Sequence, residues 1–279
     1  MRGWVKLGGL VVSLVVALAA GLVASTGAQG ICLRTISDVG CGPRPTPPEI
    51  NISVKPTKLP RVGTAPIGVE AKGNLHPGDP AGMSALREAV IQVDRHLTLD
   101  AEGLPSCEAR RLVAADSGEA RGVCREAVVG RGTASVVLAP EWIEMEAPVT
   151  LFNGGVRDGT TTLLVHSTLN AGISEVILGR VKVRERRVGH YGSEAVVRVP
   201  PIAGGSGSVR SFSFQLHRRF AHEDEERSYL QARCPDGRLM HRVTKLVLKN
   251  EVNTPSVAPT TELTGTVLTP CTPTGSAGS

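Results

Sequence analysis

The chain has 279 residues, 20% of them charged, 41% hydrophobic and only 3% aromatic, with a formal net charge of +5. That hydrophobic share can bury a core, so a chain disordered throughout is excluded, and the length suits one domain of sandwich size or two small ones. The aromatics are too few and too scattered to form a base-stacking platform, which argues against a nucleic-acid partner and weakens a carbohydrate-stacking site.

Arg2 and Lys6 precede a 17-residue apolar run over 8–24 that only Ser13 interrupts, and Thr26-Gly27-Ala28 fits a small-x-small cleavage site. Residues 1–28 are therefore expected to be a signal peptide. The competing reading is a retained membrane anchor, since a bilayer span needs roughly 17–25 residues and this run is at the lower limit. Cleavage would leave 29 basic and 26 acidic residues, a mildly basic mature chain of net charge +3. The expected location is secreted or extracytoplasmic, associated with the cell envelope.

Seven prolines between 43 and 66 mark residues 29–66 as an extended, Pro-rich N-terminal segment or linker, with room for one edge strand at 50–54. The ordered domain is expected to begin near Ile67 and run to Cys271. Within it Ala89, Ile91 and Val93 alternate with Gln92 and Asp94. Short apolar or alternating runs follow at 136–138, 149–152, 163–165, 176–183 and 196–199. Phe212, Phe214 and Leu216 alternate with serines and Gln215, and runs at 246–248 and 263–268 close the series. Asn153-Gly154-Gly155, Asp158-Gly159, the 204–207 glycine loop and Asp236-Gly237 punctuate them. Many short strands without alternating helices point to a mainly β fold, an antiparallel sandwich or barrel-like domain.

One segment, 117–128, has helical spacing: Ala120, Val123, Cys124, Ala127 and Val128 share a face, with Ser117 placed to cap it and Gly130 to end it. Residues 272–279 are polar and expected to be a disordered tail.

Six cysteines follow the apolar run: Cys32, Cys41, Cys107, Cys124, Cys234 and Cys271. An even number in an oxidising compartment favours disulfides, and nearest-neighbour pairing needs only local loop closure. A zinc site is disfavoured, because there is no C-x-x-C and no Cys–His cluster with ligand spacing. No metal or other cofactor is expected.

The common catalytic signatures are missing. No Gly-Lys pair ends a phosphate-binding loop, and there is no Ser-x-x-Lys. The loop at 204–208 puts Ser208 where a nucleophile elbow needs its second glycine, so it reads as a hairpin loop. His222 begins an acidic run, but Glu226 stands where a zinc protease carries its second histidine, and a solvated hairpin tip is expected there. The seven histidines are scattered; His166, inside an apolar strand run, is the least ordinary of them. A triad assembled from distant positions stays open, since triads are defined by geometry and not by order.

Charge supplies the one extended surface feature. In 180–186, strand alternation puts Arg180, Lys182, Arg184 and Arg186 on one face. The ordinary role of such a stripe, and the favoured one, is to keep a sheet edge solvated and unpaired. The functional role is contact with a polyanion, such as an anionic cell-envelope polymer or a lipid surface.

Five phrases occur in order: GLPSC (103–107), CREAVVGRG (124–132), LFNG (151–154), YGSEAVVRVPPIAGGSGSV (191–209) and RSYLQARCPDG (227–237). As a set they resemble a group of predicted secreted actinobacterial proteins of unknown function, over roughly 67–271. The resemblance carries no activity and no catalytic residue. It implies export, a mainly β domain and bridged cysteines, and it leaves Cys32 and Cys41 to the local argument alone. The expectation is a protein with a non-enzymatic binding or structural role at the cell surface. The alternatives are an extracellular hydrolase whose site is dispersed over loops, and an N-terminally anchored envelope protein.

Overall fold

In the computed structural model, which describes residues 48–75, 85–170, 174–249 and 265–275, almost every alternating segment is a strand. In chain order these are β1 (Glu49–Lys55), β2 (Lys58–Pro60), β3 (Ala65–Pro66), β4 (Gly68–Asn74), β5 (Ala85–Asp94) and β6 (Leu97–Leu99). Two short helices follow, α1 (Ala109–Leu112) and α2 (Ser117–Val123). A meander of five consecutive long strands comes next: β7 (Val128–Leu138), β8 (Ile143–Arg157), β9 (Thr160–Asn170), β10 (Ser174–Val188) and β11 (Tyr191–Arg198). The chain closes with β12 (Gly207–Leu216), β13 (Arg219–His222), β14 (Glu225–Ser228), β15 (Leu230–Ala232), β16 (Arg238–Lys249), β17 (Gly265–Pro270) and β18 (Thr272–Thr274).

Eleven of these strands form one antiparallel sheet in the order β1-β4-β12-β7-β8-β9-β10-β11-β5-β16-β17. The sheet curls until its outer strands meet, and the Thr269 hydroxyl donates to the Ile52 carbonyl at 2.7 Å across the seam. The fold is thus a nearly closed antiparallel barrel. Right-handed strand twist makes such closure natural and removes the exposed edges that an open sheet of this width would carry.

Apolar side chains fill the interior. Val129, Val149, Leu151 and Leu163 from the meander pack with Tyr229, Leu230, Ala232 and Leu239 at one end. Val136, Ala147, Leu169, Ile177 and Ile202 fill the other. The first end is plugged by the small sheet β3-β15-β6. Tyr229 is completely buried in that plug, and its hydroxyl has no hydrogen-bond partner among the described residues. Burial alone pushes its phenol above the ordinary range. Leaving a buried hydroxyl unmatched costs about 1 kcal/mol or more, so Tyr229→Phe should raise thermal stability by about that amount. A lower melting temperature in a thermal scan would contradict this.

The helices lie outside the barrel wall. Cys107, Leu112, Ala120, Cys124 and Ala127 pack on Phe152 and Leu164, which face outward from β8 and β9. The cap of α2 differs from expectation. Asp116, not Ser117, accepts from the Gly118 and Glu119 amides at 2.7 and 2.9 Å, and Glu119 returns a bond to the Asp116 amide. Ser117 instead donates to Thr168 on β9 at 2.9 Å. Val123, expected on the buried face, is 44% exposed, because the helix ends there and a 3-10 turn at Arg125–Ala127 redirects the chain. Val128 and Gly130 already belong to β7.

Two boundaries move and one loop changes type. The N-terminal part of the domain is not a linker up to 66: β1, β2 and β3 are all strands, and Val54 and Leu59 are core residues. The prolines fit because Pro56 lies between β1 and β2, Pro60 ends β2, and Pro66 ends the two-residue β3. The tail is not irregular from 272, since β18 pairs in parallel with β2. The 204–207 loop joins β11 to β12, which are not neighbours in the sheet, so it is a crossover and not a hairpin. The proposed signal peptide, residues 29–47 and residues 276–279 lie outside the described residues.

Candidate functional site

Cys107 is bonded to Cys124, with Cα atoms 5.7 Å apart, and Cys234 to Cys271, at 6.1 Å. The first bond ties the loop before α1 to the end of α2. The second ties the segment after β15 to the turn between β17 and β18, beside the barrel seam. Both bridges join nearest neighbours in sequence and are consistent with an oxidising compartment, where disulfides persist. Cys32 and Cys41 lie outside the described residues.

The first of these bridges is held to the barrel by Asn153, the asparagine of the LFNG phrase. Its amide nitrogen donates to the Leu104 and Pro105 carbonyls, both at 3.1 Å, and its side-chain oxygen accepts from the Gly155 amide. Its own carbonyl accepts from the Cys107 amide at 2.8 Å. The GLPSC and LFNG phrases, 48 or so residues apart, are thus one contact.

The basic stripe is where the structure departs most usefully from the sequence. From 174 to 184 β10 pairs with β9 on one side, and from Arg180 it pairs with β11 on the other. It is an interior strand, so Arg180, Lys182 and Arg184 cannot serve to block an edge. All four stripe residues are exposed. Arg184 binds Glu194 Oε1 through Nη2 at 2.6 Å and Nε at 3.2 Å, and Arg186 binds Glu194 Oε2. Burial pushes the Glu194 carboxyl up, but hydrogen bonds from Arg184 and Arg186 outweigh it and hold it below the usual carboxylate range.

Arg180 and Lys182 have no ion-pair partner among the described residues. Arg180 faces another cation directly, because the β10–β11 register puts Arg198 opposite it. Like charges placed this way destabilise a sheet. Arg198 reaches on to Glu88 on β5 at 3.1 Å, and Lys245 on β16 shares the same carboxylate at 3.0 Å. Hydrogen bonds from Lys245 and then Arg198 hold Glu88 below its ordinary range. Arg242, also exposed, sits in register with Gln92 one strand further on. The outer wall over β10-β11-β5-β16 therefore carries Arg180, Lys182, Arg184, Arg186, Arg198, Arg242 and Lys245 against two carboxylates, Glu88 and Glu194.

Sequence reasoning found the four residues on β10 and missed the three on the other strands, together with both acids. Only strand pairing across the sheet assembles them. Arg198 carried a weak signal, as the one polar residue within the apolar 196–199 run.

Among the described histidines, three settings bear on catalysis. His166 is fully buried beneath the helices, with Nε2 2.9 Å from the Ala115 carbonyl. Burial pushes its pKa down, against the pull of the Ala115 and Leu112 carbonyls. It is a core group clamping the helical layer. His222 ends β13, and the turn Glu223-Asp224 has both residues at positive φ, as a tight hairpin requires. Among the described residues, the closest approach to catalytic geometry is Asp94–His96. Asp94 Oδ1 lies 3.0 Å from His96 Nδ1, and both are buried. The other ring nitrogen meets Arg95 Nε at 3.4 Å, where a base for a nucleophile would meet a hydroxyl.

No helix among the described residues is long and apolar enough to cross a membrane. Compared with protein-family models, with curated proteins and with solved structures, the chain matches none.

Proposed function

We propose that the protein is a secreted or cell-envelope binding protein that holds a linear polyanion along the outer wall of β10-β11-β5-β16. One observation carries the reading: Arg180 and Lys182 stand without acids on a doubly paired strand, with Arg198 directly opposite Arg180. A cationic row that costs the fold stability and guards no edge is best accounted for by an anion that neutralises it. Alternate residues on a strand repeat at about 7 Å, a spacing that successive charges of an extended anionic polymer can follow. The disulfides fit an extracytoplasmic location, and the resemblance to secreted actinobacterial proteins points the same way.

A polymer is favoured over a lipid surface because the wall is the convex outside of a barrel, which meets a flexible chain along more of its length than a flat bilayer. A hydrolase is the weaker reading, since Arg95 occupies the position beside His96 that a nucleophile would need.

The test is binding of the purified domain to poly(glycerol phosphate) and to isolated envelopes at low and high salt. Each cation near an anionic surface contributes about 1 kcal/mol, so Arg180→Gln with Lys182→Gln should weaken low-salt binding about 30-fold. Wild-type binding should fall steeply with salt. Binding that ignores both changes, or that occurs only on phosphatidylglycerol vesicles, would overturn the polymer reading.

A further inference from the structure

The basic row does not stop at the end of β10. It leads into a cavity of about 560 Å3 at the plugged end of the barrel, between the turn after β5, β6, the tip of the β10–β11 hairpin and the segment after β15. Arg184 belongs to both, since it ends the doubly paired part of the stripe and lines the cavity. Arg95, Arg187 and Arg233 join it there.

One carboxylate, Glu185, lines the same space, and it meets Arg187 only at 3.9 Å. Arg233 has no ion-pair partner among the described residues, and the side-chain contact of Arg95 is with a histidine, not an acid. Burial chiefly disfavours the charged form of His96; Asp94 and Asp236 oppose this, while Arg233 and Arg95 add to it, so both arginine charges are felt at one ring. The wall is held close by Gly192, where an added Cβ would come within 2.7 Å of the Arg95 backbone. Tyr191 and Ser193 complete the lining with a ring and a hydroxyl.

We propose that this cavity binds a sugar unit bearing a phosphomonoester, the charged end of the polyanion that the outer wall holds; the link to the polymer rests on that reading, while the cavity's own chemistry does not. Arg184 is already engaged by Glu194, but the guanidinium groups of Arg95, Arg187 and Arg233 around one space still exceed what the single carboxylate of Glu185 needs. They suit a group with close to two negative charges and three acceptor oxygens, which the planar forks can engage bidentately. The volume lies in the range of small-ligand sites and accommodates a sugar ring with its charged substituent. Tyr191 offers an aromatic face to the ring carbons, and Ser193 offers a hydroxyl to the ring hydroxyls.

The experiment is titration calorimetry of the purified domain with glucose 1-phosphate and glucose 6-phosphate, with inorganic phosphate, glucose and phosphatidylinositol vesicles as separate arms. At least one sugar phosphate should bind with a dissociation constant below about 1 mM, the weak end of specific recognition, and glucose should not bind. Arg95→Gln with Arg233→Gln should weaken it about tenfold or more, at an unchanged melting temperature. The same pair should leave poly(glycerol phosphate) binding to the wall nearly intact, whereas Arg180→Gln with Lys182→Gln should do the reverse. No sugar-phosphate binding, equal binding by inorganic phosphate, or binding to vesicles alone would overturn the cavity assignment. Sugar-phosphate binding without polymer binding would keep the cavity and overturn the outer-wall reading.

Discussion

Asn153→Asp is expected to destabilise the protein by about 4 kcal/mol at neutral pH, although it exchanges one nitrogen for one oxygen. The side chain is fully buried, and its amide nitrogen is the donor to both the Leu104 and Pro105 carbonyls. A carboxylate there would donate nothing, would face two carbonyl oxygens, and would carry a charge where none compensates it. Those surroundings raise the folded-state pKa of the introduced acid above its unfolded value. The deficit relative to wild type should therefore shrink as pH falls towards the ordinary carboxylate range, where the acid protonates and regains one donor. Asn153→Ala, which leaves the carbonyls unmatched but adds no charge, should cost less than the aspartate at neutral pH. Chemical denaturation of the three proteins at two pH values measures all of this; equal stability of wild type and Asn153→Asp at neutral pH would refute it.

The second large effect belongs to the bridge at the seam. Cys234→Ser with Cys271→Ser opens a loop of 37 residues and should cost about 4 kcal/mol in the chain-entropy picture, against about 3 kcal/mol for the 17-residue loop of Cys107–Cys124. Both sulfurs of the seam bridge are buried, so the serines also bring two hydroxyls into an apolar cluster. The loss should appear in a thermal melt as the larger drop of the two double variants. A smaller drop than for Cys107→Ser with Cys124→Ser would show that the seam holds without its staple.

Strand content was legible because alternation is a local property: the runs around 91, 150, 164 and 214 each sit inside a strand. The bridge partners among the described cysteines were legible because each pair closes a short loop. What the sequence could not display was adjacency between distant strands. Prolines at 56, 60 and 66 concealed β1, β2 and β3, since proline is compatible with strand ends as well as with linkers. The role of the basic stripe turned on whether β10 has one neighbour or two, and the alternation of charges is identical in both cases. Glu88 and Glu194 look like ordinary surface acids until β5 and β11 bring them against arginines and a lysine. Asn153 was visible only as part of a turn-like Asn-Gly-Gly phrase, whereas its side chain joins two segments of the chain.

The strand order also sets a schedule. β7 to β11 are neighbours in space as they are in sequence, so this meander can zip together by successive hairpins as soon as it exists. β4 must wait for β12, β5 must wait for β11 and β16, and the last bond across the seam joins residues 217 positions apart. A fold dominated by such distant pairings is slow to form, on the order of milliseconds to seconds. β1, β4 and β5 have no complete set of partners until the final third of the chain has been synthesised. The barrel therefore closes only once β17 is available to meet β1, with the Cys234–Cys271 bond able to lock it only at the end.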